Sequence, residues 1–108
     1  MILHVPHGSR ELTGLARSGL LLDGAALDAE LDRMTDAHTG LLAARAAGAA
    51  SRRPWIFENR YSRLVVDPER FPDEREEMAA VGMAAVYTRT SGGAPLRTAD
   101  PARDEELL

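Results

Sequence analysis

The order of patterns along the chain predicts an α/β fold with a mixed, mainly parallel sheet flanked by helices. Three observations carry it: an apolar run at the N-terminus that stops at Pro6, an apolar stripe at helical spacing within residues 25–50, and β-branched runs after residue 60. Alternating strand, helix and strand bring parallel strands together with helices laid on the sheet. At 108 residues and 44% apolar content, a single domain over residues 1–108 with one modest core is expected.

Residues 1–5 read as a short buried strand, ended by Pro6, which lacks an N–H donor and restricts the residue before it. From Ala25 to Ala50 the apolar positions Leu27, Leu31, Met34, Leu41 and Leu42 fall on one stripe, with Asp23 placed to cap the helix. "RRPWIFENR" breaks that helix at Pro54 and opens a second extended stretch, and "SRLVVD" reads as a strand ending at Asp67. "PERFPDEREEM", with two prolines and a run of charges, reads as an exposed loop leading into a short helical turn. "MAAVYTRT" then reads as strand and "SGG" as a turn. In "ADPARDEELL" Asp100 is placed to cap a helix that starts at Pro101. A helix that begins so well eight residues from the last residue leads to the expectation that the chain is part of a longer protein.

Composition narrows the function. All 13 basic residues are Arg, against 17 acidic ones, for a net charge of −4, so neither a polybasic nucleic-acid surface nor a nucleic-acid partner is expected. With no Cys, thiolate zinc sites, disulfides and cysteine catalysis are excluded. No apolar run approaches the ~20 residues of a membrane helix and no signal-peptide pattern opens the chain, so the expectation is a cytoplasmic protein with no membrane partner.

Four blocks, "HVPHGSRE", "LDRMTDAHT", "NRYSRLVVDPERFPDEREEM" and "VYTRTSGGAPLR", resemble in their order and separations the N-formylglutamate amidohydrolase family, over nearly the whole chain. The resemblance implies a zinc-dependent hydrolase that cleaves the formamide of N-formylglutamate, or of a related N-acyl amino acid, to formate and glutamate in histidine catabolism. It implies the fold of the zinc carboxypeptidase and aspartoacylase group, also called phosphorylase/hydrolase-like. It further implies that this chain is the N-terminal half only, with another metal ligand and catalytic residues in a second half.

The resemblance makes His7, just past the first strand, a metal ligand, although a histidine beside a glycine is ordinarily a plain loop residue. Relatives with a His-x-x-Glu motif would carry a Glu ligand three residues later, where this chain has Arg10. His4 reads as a core histidine or one that supports a ligand from behind. At 100° per residue, His38 lies about 20° from the centre of the apolar stripe and Asp36 about 180° away, so an unbroken helix leaves Asp36 in solvent. A break near Met34 to Thr35 would turn Asp36 toward the C-terminal edge of the sheet, and on the family motif Asp36 is the second metal candidate.

Arg60, Arg63 and Arg70 cluster around "SRLVVD", in a protein with no lysine. Guanidinium binds carboxylates through two parallel hydrogen bonds, so these arginines and Asn59 are candidates for holding a dicarboxylic substrate, unless one pairs with Asp67 to fix the loop. By resemblance Arg70 is carried over and Glu69, which stands where Asn is usual, is not. Zinc would polarise the formyl oxygen and activate water, but neither the further metal ligand nor a catalytic base is assignable here, so this chain is expected to bind zinc weakly or not at all. Two other readings stay open: a non-catalytic carboxylate-binding module that uses the arginines, and a half-enzyme completed by a second polypeptide or by self-association through an uncovered sheet edge.

Overall fold

A computed structural model describes residues 1–108. The elements in order are β1 (Ile2–Val5), α1 (Gly14–Ser18), α2 (Gly24–Met34), α3 (Thr39–Ala49), β2 (Trp55–Glu58), a 3-10 turn (Glu77–Val81) and α4 (Pro101–Leu107). The chain is mixed α/β, and its sheet is small: β1 and β2 pair in parallel, Ile2 opposite Trp55 through Val5 opposite Glu58. No helix is long and apolar enough to cross a membrane.

Side chains alternate across this two-stranded sheet. Ile2, His4, Trp55 and Phe57 share an exposed face, on which the His4 and Phe57 rings meet edge to face with centroids 5.4 Å apart. His4 is therefore no core histidine; Pro6 and the pleat separate it from His7. The opposite face, with Leu3, Val5 and Ile56, is covered by α3, which buries Ala43 and Ala47 and crosses both strands. Small residues allow this approach, and a Cβ at Gly40 would run into the Glu58 carboxylate.

The helix expected over residues 25–50 is two helices. Thr35 is extended, Asp36 donates its backbone N–H to the His7 carbonyl at 2.8 Å, and the Thr39 hydroxyl bonds the Asp36 carbonyl at 2.8 Å. His38 takes the left-handed conformation at φ 65°, which histidine tolerates better than most residues. Leu27, Leu31 and Met34 of α2 pack against Leu64, Tyr87 and Leu96 as the main core. Beyond the break the stripe is lost, and Leu41 and Leu42 stand 53% and 68% exposed.

Neither later strand forms. In residues 62–67 the Ser62 side chain accepts the Leu64 N–H and its carbonyl accepts the Val65 N–H, which makes a buried turn. The backbone of residues 83–90 joins no strand ladder and makes only scattered bonds to other segments, among them Asp67 N–H to the Ala85 carbonyl at 2.7 Å and an isolated bridge between Arg89 and Pro95. Buried Glu30 on α2 ties down the following turn by accepting the backbone N–H and the hydroxyl of Ser91, at 2.6 and 3.0 Å. The C-terminal helix starts at Pro101, with the Asp100 side chain accepting the Arg103 N–H at 3.1 Å. Asp23 occupies the cap position of α2, but its side chain makes no capping bond.

Candidate metal centre

Parallel β1 and β2 end together, and the chain leaving β1 delivers His7 beyond that edge, the end at which open α/β sheets bind ligands. His7 is buried, at 6% exposure, and both of its ring nitrogens face carboxylates. Nε2 lies 2.9 Å from Asp67 Oδ1 and 3.7 Å from Glu69 Oε2. Nδ1 lies 3.6 Å from Asp36 Oδ2. The helix break and the bond from Asp36 N–H to the His7 carbonyl are what bring Asp36 here, 29 residues along the chain from His7.

Asp67 is the hub behind the histidine. Its Oδ1 also accepts the Glu69 backbone N–H at 3.0 Å. Its Oδ2 accepts the Tyr87 hydroxyl and Arg63 Nη2, the latter at 3.0 Å, with Arg70 Nε 3.7 Å away. Arg63 Nε in turn donates to the Tyr87 oxygen at 2.9 Å, which closes a ring of three side chains. Burial alone would raise the Asp67 carboxyl, but hydrogen bonds from Tyr87, His7 and the Glu69 N–H outweigh it and bring its pKa down to about 2. Burial, together with the Asp67 charge it faces, pushes the Tyr87 phenol up to about 12. Arg63 is held charged more firmly than an ordinary arginine: burial works against it, but the electrostatic attraction and hydrogen bonds of the Tyr87 oxygen and the Asp67 carboxylate outweigh that.

Of the residues singled out in the sequence, the structure gathers Asp36, Asp67, Arg63 and Arg70 around His7. The others lie apart. Asn59 spends both ends of its amide on backbone, donating to the Pro6 carbonyl at 3.1 Å and accepting the Tyr61 N–H at 3.2 Å. Arg60 is exposed, and its carbonyl accepts the Ser9 hydroxyl. Arg10 reaches α2, where it pairs with Asp32 at 2.5 Å and Asp28 at 3.6 Å. His4 stands on the far face of the sheet.

Sequence reasoning set Glu69 aside and passed over Tyr87. A tyrosine in the apolar run "MAAVYTRT" carries a signal, since a buried phenol needs a hydrogen-bond partner. Nothing local names Asp67 as that partner. His7, Asp67 and Glu69 offer ligand atoms within 4.8 Å of one another, and on the other edge of the ring Nδ1 faces the Asp36 carboxylate. Nitrogen and carboxylate donors of this kind suit zinc and similar divalent ions. Arg70 Nε is buried without a hydrogen-bond partner, a guanidinium edge left over after Asp67 has been satisfied.

No curated protein and no solved structure matches the chain. A family model described as N-formylglutamate amidohydrolase matches residues 1–107. This match spans His7 and every residue gathered around it, and the chain belongs to the N-formylglutamate amidohydrolase family, an enzyme of the amidohydrolase kind.

Proposed function

We propose that the protein is a zinc-dependent amidohydrolase acting on an N-formyl or N-acyl amino acid such as N-formylglutamate, with the cation held between His7 Nδ1 and Asp36. The observation that carries this reading is the division of labour around the imidazole. Nε2 is hydrogen-bonded to an Asp67 carboxylate that is wholly buried and otherwise saturated by donors, as expected of the residue that orients a metal-binding histidine from behind. Nδ1 instead faces Asp36, whose side chain is 55% exposed, so a ligand from solvent has a way to the carboxylate on that edge. The Nε2 edge is the poorer place for an ion, because Asp67 Oδ1 already accepts two hydrogen bonds there.

A divalent ion at such a site polarises the scissile carbonyl and lowers the pKa of water at it to about 7. The chain's own residues supply the rest of the binding. Asp67 fixes the imidazole ring. Arg63 is committed to Asp67 and Tyr87, which leaves Arg70, whose Nε approaches Asp67 only at 3.7 Å, with its outer guanidinium nitrogens as the candidate for a substrate carboxylate. Parallel strands that end beside His7 support the fold of the zinc carboxypeptidase and aspartoacylase group. No third His, Asp or Glu joins the Nδ1 pair, so binding is expected to be weak.

Titration with Zn²⁺ and Co²⁺ of the wild type, Asp36→Asn and Glu69→Gln tests the placement, with formate release from N-formylglutamate measured beside it. Asp36→Asn should weaken binding at least tenfold and Glu69→Gln should leave it within about twofold. The opposite pattern puts the ion on the Nε2 side. Formate release that is unaffected by a chelator would overturn metal dependence.

A further inference from the structure

We infer that Tyr87 is a positioning residue for the metal site, acting on His7 through Asp67. The inference rests on the reading proposed above. A carboxylate can rotate about its terminal bond, so a single hydrogen bond to the histidine leaves the direction of Oδ1 loosely set. In this protein Oδ2 is pinned from two sides, by the Tyr87 hydroxyl and by Arg63 Nη2. The same tyrosine oxygen accepts Arg63 Nε, so the hydroxyl is both the donor to the carboxylate and the anchor for the carboxylate's other donor. With Oδ2 fixed, Oδ1 is aimed at Nε2, and Nδ1 is turned toward Asp36. The tyrosine ring itself lies in the main core with Leu27, Leu31, Met34, Leu64 and Leu96, so the hydroxyl is carried by a ring packed on buried side chains. Packing alone would be served as well by phenylalanine. The hydroxyl is the part whose partners all belong to the site.

Tyr87→Phe keeps the ring and removes the pin. The test is a Co²⁺ titration of the full chain, with the visible d–d spectrum and the melting temperature of the metal-free protein recorded for the wild type, Tyr87→Phe, Asp67→Asn and the double variant. Co²⁺ affinity should fall about tenfold or more in Tyr87→Phe, with an altered spectrum. In the Asp67→Asn background the same change should have little further effect, because the tyrosine acts through that carboxylate. A merely structural role predicts a lower melting temperature with unchanged affinity and spectrum, and that result would overturn the inference while leaving the metal reading intact. Wild-type protein that binds no Co²⁺ would overturn the metal reading and the inference with it. If Asp67→Asn does not fold, Arg63→Met replaces it: removing the second donor to Oδ2 should also lower affinity, and unchanged affinity there counts against the pin.

Discussion

Replacing Asp67 by Asn should unbalance the centre of the molecule, and the size of the effect can be worked out in two ways. The carboxyl pKa falls from its ordinary 3.8 to about 2 in the folded protein, and the residue is fully buried. A depression of that size corresponds to about 2 kcal/mol of stability carried by the ionised form. Because the folded value lies below the unfolded one, this contribution is complete above about pH 4 and is lost as the pH falls through 2. The substitution removes more than the pKa shift records. Arg63, whose side chain is only 15% exposed, loses its counter-ion, and breaking one partner of a buried pair costs about 3–5 kcal/mol. An Asn amide also turns either its oxygen or its NH₂ group toward the Tyr87 and Arg63 donors, and cannot satisfy both ends of the site as the carboxylate does. We expect Asp67→Asn to lower unfolding free energy by about 3 kcal/mol at pH 7. Urea unfolding followed by circular dichroism, at pH 7 and in steps from pH 4.5 to 2, measures it. The gap between wild type and variant should hold constant down to about pH 4 and then shrink by about 2 kcal/mol by pH 2. A gap below about 1 kcal/mol at pH 7, or one that does not shrink in acid, would refute the hub described for Asp67.

Three further expectations come from the backbone and from the sheet. Gly82 sits at φ 74°, with the Arg89 and Thr88 side chains 2.7 and 2.9 Å from where a Cβ would be, so Gly82→Ala should cost about 1–2 kcal/mol. Gly48, inside α3 with open space around it, should give about 0.5–1 kcal/mol of added stability when changed to Ala, and paired melting curves compare the two. The exposed face carrying Ile2, Trp55 and Phe57, at 67%, 81% and 63%, and the open edges of β1 and β2 should drive concentration-dependent self-association, reduced in Trp55→Ser. Sedimentation velocity of wild-type protein as a single monomer at every concentration would count against that association.

The elements that were legible in the sequence are those whose causes are local. Pro6 ends β1, and Asp100 with Pro101 starts α4, because a missing donor and a capping oxygen act within a few residues. The same local reasoning misplaced strands at 62–67 and 83–90. A β-branched run forms a strand only if another segment offers it a ladder, and these segments found side-chain caps and single bonds instead. Glu30 shows a related blind spot. On a helical wheel it reads as an ordinary acid beside the apolar stripe, and only the turn around Ser91, 61 residues away, explains why it is buried.

Asp36 marks the boundary between what pattern can and cannot reach. Helical geometry places it on the side of α2 opposite the stripe, so periodicity taken alone argues against any role with His7. A break near Met34 to Thr35 removes that objection, because residues beyond it no longer follow the helical phase. What makes the break is Asp36 N–H bonding the His7 carbonyl, with His38 accepting a left-handed conformation next to it. The contact that would place a carboxylate at the site is thus the same contact that ends the helix. The interruption and the candidate ligand pair have a single cause, and a substitution that restored helix across residues 35–38 would have to give up the approach of Asp36 to His7 Nδ1.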